Sequence, residues 1–184
     1  MPTKTLITLL FILFTSFSQL VWAKTNSNKS ELTVEADESL EWFEKEKYYL
    51  AKGNVILKKD GVTLKANTIK ADYIFENGEN ILKKIIAEDK VVLTKENTKA
   101  TGQYMTYNLN DKIIKISGTF QTFSSPSGYV ESTKNIIFDD VNNKAEAEGN
   151  VKIILSNKTI IYADNVKANF EPTNKSLKLS LIHI

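Results

Sequence analysis

A degenerate repeat of about thirty residues runs through most of this 184-residue chain. Its clearest copies read A-N-T-I-K-A-D-Y at 66–73 and A-D-N-V-K-A-N-F at 163–170, and each follows a segment that opens with Gly-Asn-Val. Counting the weaker copies, five units begin at small residues at positions 36, 66, 102, 132 and 163. A period in this range is typical of stacked units, none of which can bury its apolar face alone. The repeat predicts a stack whose function lies in the continuous surface or groove that it creates.

Apolar and polar residues alternate within each unit. Val55 and Leu57 precede an Asp-Gly turn, and Val62 and Leu64 continue the alternation after it. Alternation with period two, interrupted by Asp-Gly, Asn-Gly and Ser-Pro-Ser-Gly turns, is typical of short antiparallel strands. We therefore predict an all-β fold of repeated antiparallel units. The longer step between the second and third units predicts a longer hairpin loop around residues 77–84.

The same alternation predicts an interior lined by aliphatic and aromatic side chains. The predicted lining residues are Val55, Leu57, Leu64, Ile69, Val91, Leu93, Met105, Tyr107, Phe120, Ile136 and Phe138. The residues alone fit either a sealed apolar core or a groove that holds an apolar ligand.

The first 23 residues have the composition of a secretory signal peptide. Lys4 gives a positive start, residues 6–14 are almost entirely apolar, and Val21 and Ala23 supply small residues for cleavage after Ala23. The apolar run is shorter than the ~20 residues that a membrane-spanning helix needs. We expect an exported protein with a polar, flexible mature N-terminus at 24–30 and one domain at 31–178.

Composition argues against several classes of function. The 24 basic residues are all Lys, they nearly balance 22 acidic residues, and they form no basic stripe, so no nucleic-acid partner is expected. The chain has no Cys, one His, no nucleophile elbow and no phosphate loop, so we predict no enzyme, no metal and no cofactor. The carboxylate pair Asp139 and Asp140 fits a solvated turn. A β-helix polysaccharide lyase is the enzyme alternative, but the Asp cluster of such sites is lacking.

The last six residues look foreign to the repeat. Residues 179–184 read L-S-L-I-H-I, which is what a transposase adapter used in DNA library preparation encodes in frame. We expect an adapter-derived end, with the natural C-terminus missing and His183 not native; a genuine terminal strand is the alternative.

Residues 32–37 (L-T-V-E-A-D), the Gly-Asn-Val strands and the Ala-Asp or Ala-Asn turns resemble the OstA-like repeat of the LptA family of periplasmic lipopolysaccharide-transport proteins. The resemblance covers residues 31–178. It implies a twisted, slightly open β-jellyroll whose two sheets leave an apolar groove for lipid acyl chains. It adds Leu32 and Val34 to the groove and favours a groove over a sealed core.

The resemblance also implies a function and partners. The chain would carry lipopolysaccharide from the inner to the outer membrane of a Gram-negative bacterium, across the periplasm. It would join head to tail with copies of itself, and would contact an LptC-like inner-membrane protein and an LptD-like outer-membrane protein. Two alternatives stay open at this point: the N-terminal periplasmic domain of an LptD-like outer-membrane translocon, and a structural or adhesive β-solenoid.

Overall fold

The computed structural model describes residues 32–170 and 177–181, in which all regular structure is β-strand. The strands are β1 (Thr33–Glu35), β2 (Ser39–Phe43), β3 (Tyr48–Lys59), β4 (Val62–Glu76), β5 (Glu79–Lys95), β6 (Thr98–Asn108), β7 (Ile113–Ser117), β8 (Gln121–Ser125), β9 (Gly128–Ser132), β10 (Asn135–Asp139), β11 (Lys144–Leu155), β12 (Ile160–Phe170) and β13 (Leu177–Leu181). All pair antiparallel in one sheet, which confirms the all-β prediction. Within this described part, no helix is long and apolar enough to cross a membrane.

Three predictions concern the ends of the chain. The signal peptide, residues 24–30 and His183 lie outside the described residues. Residues 179–181 belong to β13, which pairs with the second half of β12. The adapter origin of residues 179–184 stays a prediction.

The sheet is folded along one line that crosses every strand position. The register divides it into layer A, in the order β2-β3-β4-β5-β6-β7-β10-β11-β12-β13, and layer B, in the order β1-β3-β4-β5-β6-β8-β9-β11-β12. β3, β4, β5, β6, β11 and β12 run through both layers, whereas short links at the fold line join β1 to β2, β7 to β8 and β9 to β10. The backbone therefore closes the sandwich along the fold line.

Left-handed backbone at the Gly-Asn pairs makes the fold line. Gly53 and Asn54 have φ of 81° and 43°, and Gly149 and Asn150 have φ of 85° and 43°. The pairing register slips at both places, as it does at a β-bulge that bends a strand. Glycine and asparagine tolerate this conformation best, which explains why the repeat carries them.

The two halves of the chain build this corner in the same way. The backbone N–H of Asp37 donates to the carbonyl of Gly53 at 2.8 Å, and that of Thr133 donates to the carbonyl of Gly149 at 2.8 Å. In both halves the next backbone N–H then donates to the residue before the glycine, each at 3.1 Å. The link between β1 and β2 is thus equivalent to the link between β9 and β10, and the sequence repeat is a structural repeat.

The longer hairpin loop expected around residues 77–84 is wrong. β4 and β5 continue through this region and are joined by a tight turn at Asn77 and Gly78, both with positive φ. Residues 73–76 pair directly with 79–82, and one register shift leaves Lys83 as the extra residue. The additional length therefore extends the strands, because Asn-Gly closes a two-residue turn and the flanking residues favour strands.

The corner glycines should be far less replaceable than the turn glycines. A Cβ on Gly53 would lie 2.9 Å from the backbone nitrogen of Glu38, whereas a Cβ on Gly61, which has a similar φ of 75°, meets nothing within 4 Å. We expect Gly53→Ala to lower the free energy of unfolding by about 1–3 kcal/mol more than Gly61→Ala. Urea unfolding of both variants measures the difference, and equal losses would contradict the corner's role.

Candidate lipid groove between the two layers

Two rows of side chains line the inner face of layer A. The corner row lies next to the fold line and consists of Ala51, Ile69, Ala87, Met105, Ile116, Ile136, Ala147 and Val166, each paired with the next across the strands. The rim row lies two residues further out and consists of Tyr49, Ala71, Ile85, Tyr107, Ile114, Phe138, Ala145 and Ala168. Because strand residues alternate between faces, both rows point the same way.

Layer B has two matching rows. Its corner row is Val55, Ala66, Val91, Gly102, Gln121, Ser132, Val151 and Ala163, and its rim row is Val34, Leu57, Leu64, Leu93, Ala100, Phe123, Val130, Ile153 and Ile161. No charged residue occurs in these four rows. Their residues thus offer an inner surface that is apolar from β3 to β12, apart from Gln121, Ser132 and the tyrosine hydroxyls.

The layers face each other and touch through an aromatic pair. The ring centroids of Phe123, in the rim row of layer B, and Phe138, in the rim row of layer A, are 5.0 Å apart. Both rings pack against two apolar clusters, one built mainly from β3–β7 and the other from β10–β12. The pair therefore lies where the two halves of the interior meet and closes the rim at that point.

The structure brings eleven of the twelve predicted groove residues into one cluster. Fully buried among them are Val55, Leu57, Leu64, Ile69, Val91 and Met105; partly buried are Leu32, Val34, Leu93, Tyr107 and Phe138. Ile136, predicted to line the interior, belongs to the corner row of layer A and to the second cluster. Whether these residues contact lipid stays a prediction.

The interior position predicted for Phe120 is wrong. Its side chain is 53% exposed and belongs to neither apolar cluster. The residue lies between Gly118, where the chain turns between the layers, and Gln121, which is completely buried. Because the inward position falls to Gln121, strand alternation turns Phe120 outward.

Sequence reasoning missed the small and polar members of the interior. Alanines at positions 51, 66, 87 and 100 are buried, as are Gln121 and Ser132 with no measurable exposure. Gly102 also belongs here, since a Cβ on it would collide with Cγ2 of Ile116. Ala66, Gly102 and Ser132 are among the small residues that recur in the sequence repeat. They are small because the two layers approach closely at the fold line.

In this conformation the inner rows of layer A pack against those of layer B, except at the β2 end of layer A. Two cavities of about 430 Å³ and 230 Å³ lie near the C-terminal strands, and none of the predicted groove residues lines them. At the opposite end, Leu40 and Trp42 of β2 continue the inner face, since they pair with Ala51 and Tyr49, yet each is 55% exposed. An apolar surface is therefore open at the β2 end of the interior.

The ion pairs of the described residues are on the outer faces. Four of them join neighbouring strands, namely Lys52 with Glu41, Lys58 with Glu35, Lys152 with Glu131 and Lys167 with Glu146, and the fifth joins Lys70 to Asp72 within β4. All are partly exposed, so each stabilises the fold only slightly. Among the described residues, no group of three or more His, Cys, Asp or Glu side chains could hold a metal ion.

Asp139 is the last residue of β10 and opens the turn that leads to β11, as expected. Its carboxylate accepts hydrogen bonds from the side-chain amide of Asn142 at 2.7 Å and from the backbone N–H of Asn142 at 2.9 Å. These bonds favour the charged form and lower the pKa of Asp139. The geometry is that of an Asx turn between β10 and β11.

Comparison with known proteins identifies the family. The model of the family described as "LptA/(LptD N-terminal domain) LPS transport protein" matches residues 33–137, more than half of the chain. This chain belongs to that family. No curated protein sequence matches it.

A solved structure supports the fold. The chain is similar to the crystal structure of LptH from Pseudomonas aeruginosa, the LptA homologous periplasmic component of a lipopolysaccharide transport device. The two share 12% sequence identity with a TM-score of 0.51, over 83% of this chain and 95% of that one. The predicted family and its β-jellyroll fold are confirmed.

The aromatic contact between the layers gives a direct test of the site. Removing the Phe123 ring should separate the rims and lower the free energy of unfolding by about 1–3 kcal/mol. Phe123→Ala should also take up an apolar fluorescent probe faster than the parent protein. The matched control is Phe120→Ala, which removes an exposed ring and should change the free energy of unfolding by less than about 0.5 kcal/mol. Equal effects of the two substitutions would contradict the assignment of faces.

Proposed function

We propose that this protein carries lipopolysaccharide through the periplasm as a bridge component, with the acyl chains held between layers A and B. Family membership supports transport of this lipid, and the four uncharged rows support the binding mode. Acyl chains require a continuous apolar surface, because each methylene withdrawn from water stabilises the complex by about 0.8 kcal/mol.

The dimensions of the inner face suit such a ligand. The rows extend across nine strand positions, and neighbouring strands are about 4.8 Å apart, so the inner face is roughly 40 Å long. The apolar rows are only two residues deep on each side. This is a long, shallow slot, suited to extended hydrocarbon chains and unsuited to a compact polar ligand.

Binding requires the rims to separate, since the corner rows are buried. The rim rows contain the partly buried members of the cluster, including Leu93, Tyr107 and Phe123. The rims are joined by side-chain contacts, whereas the fold line is joined by backbone at each strand position. We propose that the layers open at the rim and stay joined at the fold line.

The rim of layer B offers a place for the anionic headgroup. Lys59 and Lys95 both pair with Val62, one residue pair beyond the rim row and on the same face. Their ammonium groups are exposed, so phosphate groups could stay in water beside them. Burying such charges unpaired would cost several kcal/mol.

The remaining parts of the proposal follow from the leader and the edges of the sheet. A cleaved signal peptide would deliver the chain to the periplasm, the compartment of the transport component LptH. LptC-like and LptD-like partners would continue the groove at its two ends.

The family model equally includes LptD N-terminal domains, so the N-terminal domain of an LptD-like translocon is the alternative function. The complete reading frame of the gene distinguishes the two.

Photo-crosslinking tests the binding face. A crosslinking residue at Leu57 or Leu93 should capture lipopolysaccharide, whereas one at Lys58 or Lys70, on the outer faces, should not. Leu57→Asp should abolish capture at Leu93, because a desolvated carboxylate costs far more than the ~1.5–3 kcal/mol that a buried leucine contributes. Equal capture at all four positions would rule out the slot.

Head-to-tail association would use the two uncovered edges of layer B. Among the strands that the structure describes, β1 pairs only with β3, and β13 pairs only with residues 166–170 of β12, which leaves residues 160–163 at the opposite edge. Unpaired N–H and C=O groups on such edges can join strands of two copies and continue the groove. Because the two edges differ, the contact is heterologous and can build filaments.

A mixing experiment tests this contact. Thr33 and Ile160 each begin their strand, where proline is tolerated within the fold but weakens pairing at the edge. Thr33→Pro and Ile160→Pro should each abolish the growth in mass with concentration that light scattering records for the parent. An equimolar mixture of the two variants should form dimers, since each retains the edge that the other has lost. Assembly by either variant alone would exclude the corresponding edge.

A further inference from the structure

Gln121 places a fully unsatisfied amide in the apolar interior, whereas Asn135, which has an unpaired Oδ1, donates its amide hydrogen to Glu148. Its side chain has no exposure, and neither Nε2 nor Oε1 has a hydrogen-bond partner. Buried polar groups in folded proteins are almost always hydrogen-bonded, and an orphaned one costs stability. Such a group calls for a partner that the chain itself does not supply.

The position of Gln121 is in the middle of the inner face. It occupies the corner row of layer B on β8, the sixth of the nine strands in that layer, with Gly102 on one side and Ser132 on the other. Ser132 makes no hydrogen bond to it, since its hydroxyl donates to the carbonyls of Asn135 and Glu148 and accepts from the backbone N–H of Lys134. Gly102 has no side chain to pair with it, and the place of a Cβ there is taken by Cγ2 of Ile116.

The aromatic pair stands in front of this amide. Phe123 is two residues from Gln121 on the same face and lies closer to the rim, where its ring meets Phe138. Both rings must move before a ligand in the slot can reach the corner row at this point. The amide is therefore hidden when the layers are closed and becomes accessible when they open.

We propose that Gln121 recognises a hydroxyl group carried on an acyl chain. The amide has a donor and an acceptor on adjacent atoms, and a hydroxyl group can accept from Nε2 and donate to Oε1 at the same time. An ester or amide carbonyl would satisfy Nε2 only, and an unsubstituted chain would satisfy neither atom. The inference rests on the proposed function and adds to it a preference for hydroxylated over plain acyl chains.

Competition between two fatty acids tests the preference. 3-Hydroxymyristate and myristate, below their micelle-forming concentrations, would displace an apolar fluorescent probe from protein purified from the periplasm. Two hydrogen bonds in a dry site should favour the hydroxylated acid about five- to tenfold. In Gln121→Met, which keeps the length of the side chain, the ratio should fall to about one.

The controls separate recognition from a packing role. Gln103→Met makes the same change at an exposed position of β6 and should keep the parental ratio. Gln121→Leu is a second apolar variant, and thermal unfolding should show that neither it nor Gln121→Met is less stable than the parent, because an unpartnered amide has been removed.

Three outcomes would overturn the proposal. A parent that binds both acids equally would exclude hydroxyl recognition while leaving acyl-chain binding intact. An unchanged ratio in both Gln121 variants would mean that another part of the protein sets the preference, and that a buried water satisfies the amide of Gln121. Binding of neither acid would refute the proposed acyl-chain function itself, and this inference with it.

Discussion

The left-handed corner of the backbone is the constraint on which the rest of this structure depends. Strands as long as β3, β4 and β11 would otherwise continue into one extended sheet with a bare apolar face. The Gly-Asn pairs bend β3 and β11, and the small residues opposite them allow the layers to approach. The apolar rows of the two layers then cover each other, while the lysine ion pairs stay outside. The covered interior and the proposed binding slot both follow from this backbone corner, which occurs once in each half of the chain.

The fold could be predicted from sequence because its main signals are local. Alternation predicted the strands and most of their inward faces, and the repeat predicted that similar units recur along the chain. The failures have equally local causes. Strand alternation cannot be extended across a corner without its exact length, so Phe120 was assigned to the wrong face. The additional residues around Asn77 were read as loop, although Asn-Gly is also a tight-turn signal. The corner in β5 carries Asp89 and Lys90 at positive φ, without glycine to mark it.

The residues that line the site could be predicted from the sequence, but how tightly they pack against each other could not. Eleven of the twelve residues expected in the groove do cluster, because inward apolar positions of one sheet must meet somewhere. Their packing against each other depends on how closely two layers approach, and this distance is set by alanines and by Gly102, which carry no apolar pattern of their own. Gln121 was invisible for the same reason: a lone glutamine in a strand has no periodic signal.

The near-equivalence of the strand positions has a consequence for movement of a ligand. A hydrocarbon chain that shifts along the inner face by one strand spacing exchanges its contacts for similar ones, so its energy varies little along the way. Displacement can then proceed by local separation of the two rims ahead of the ligand and their closure behind it, while the strands stay paired within each layer. Such a track has no intrinsic direction. Net movement of the ligand would be imposed by loading at one end and removal at the other. The protein itself would need only to keep its apolar inner face continuous.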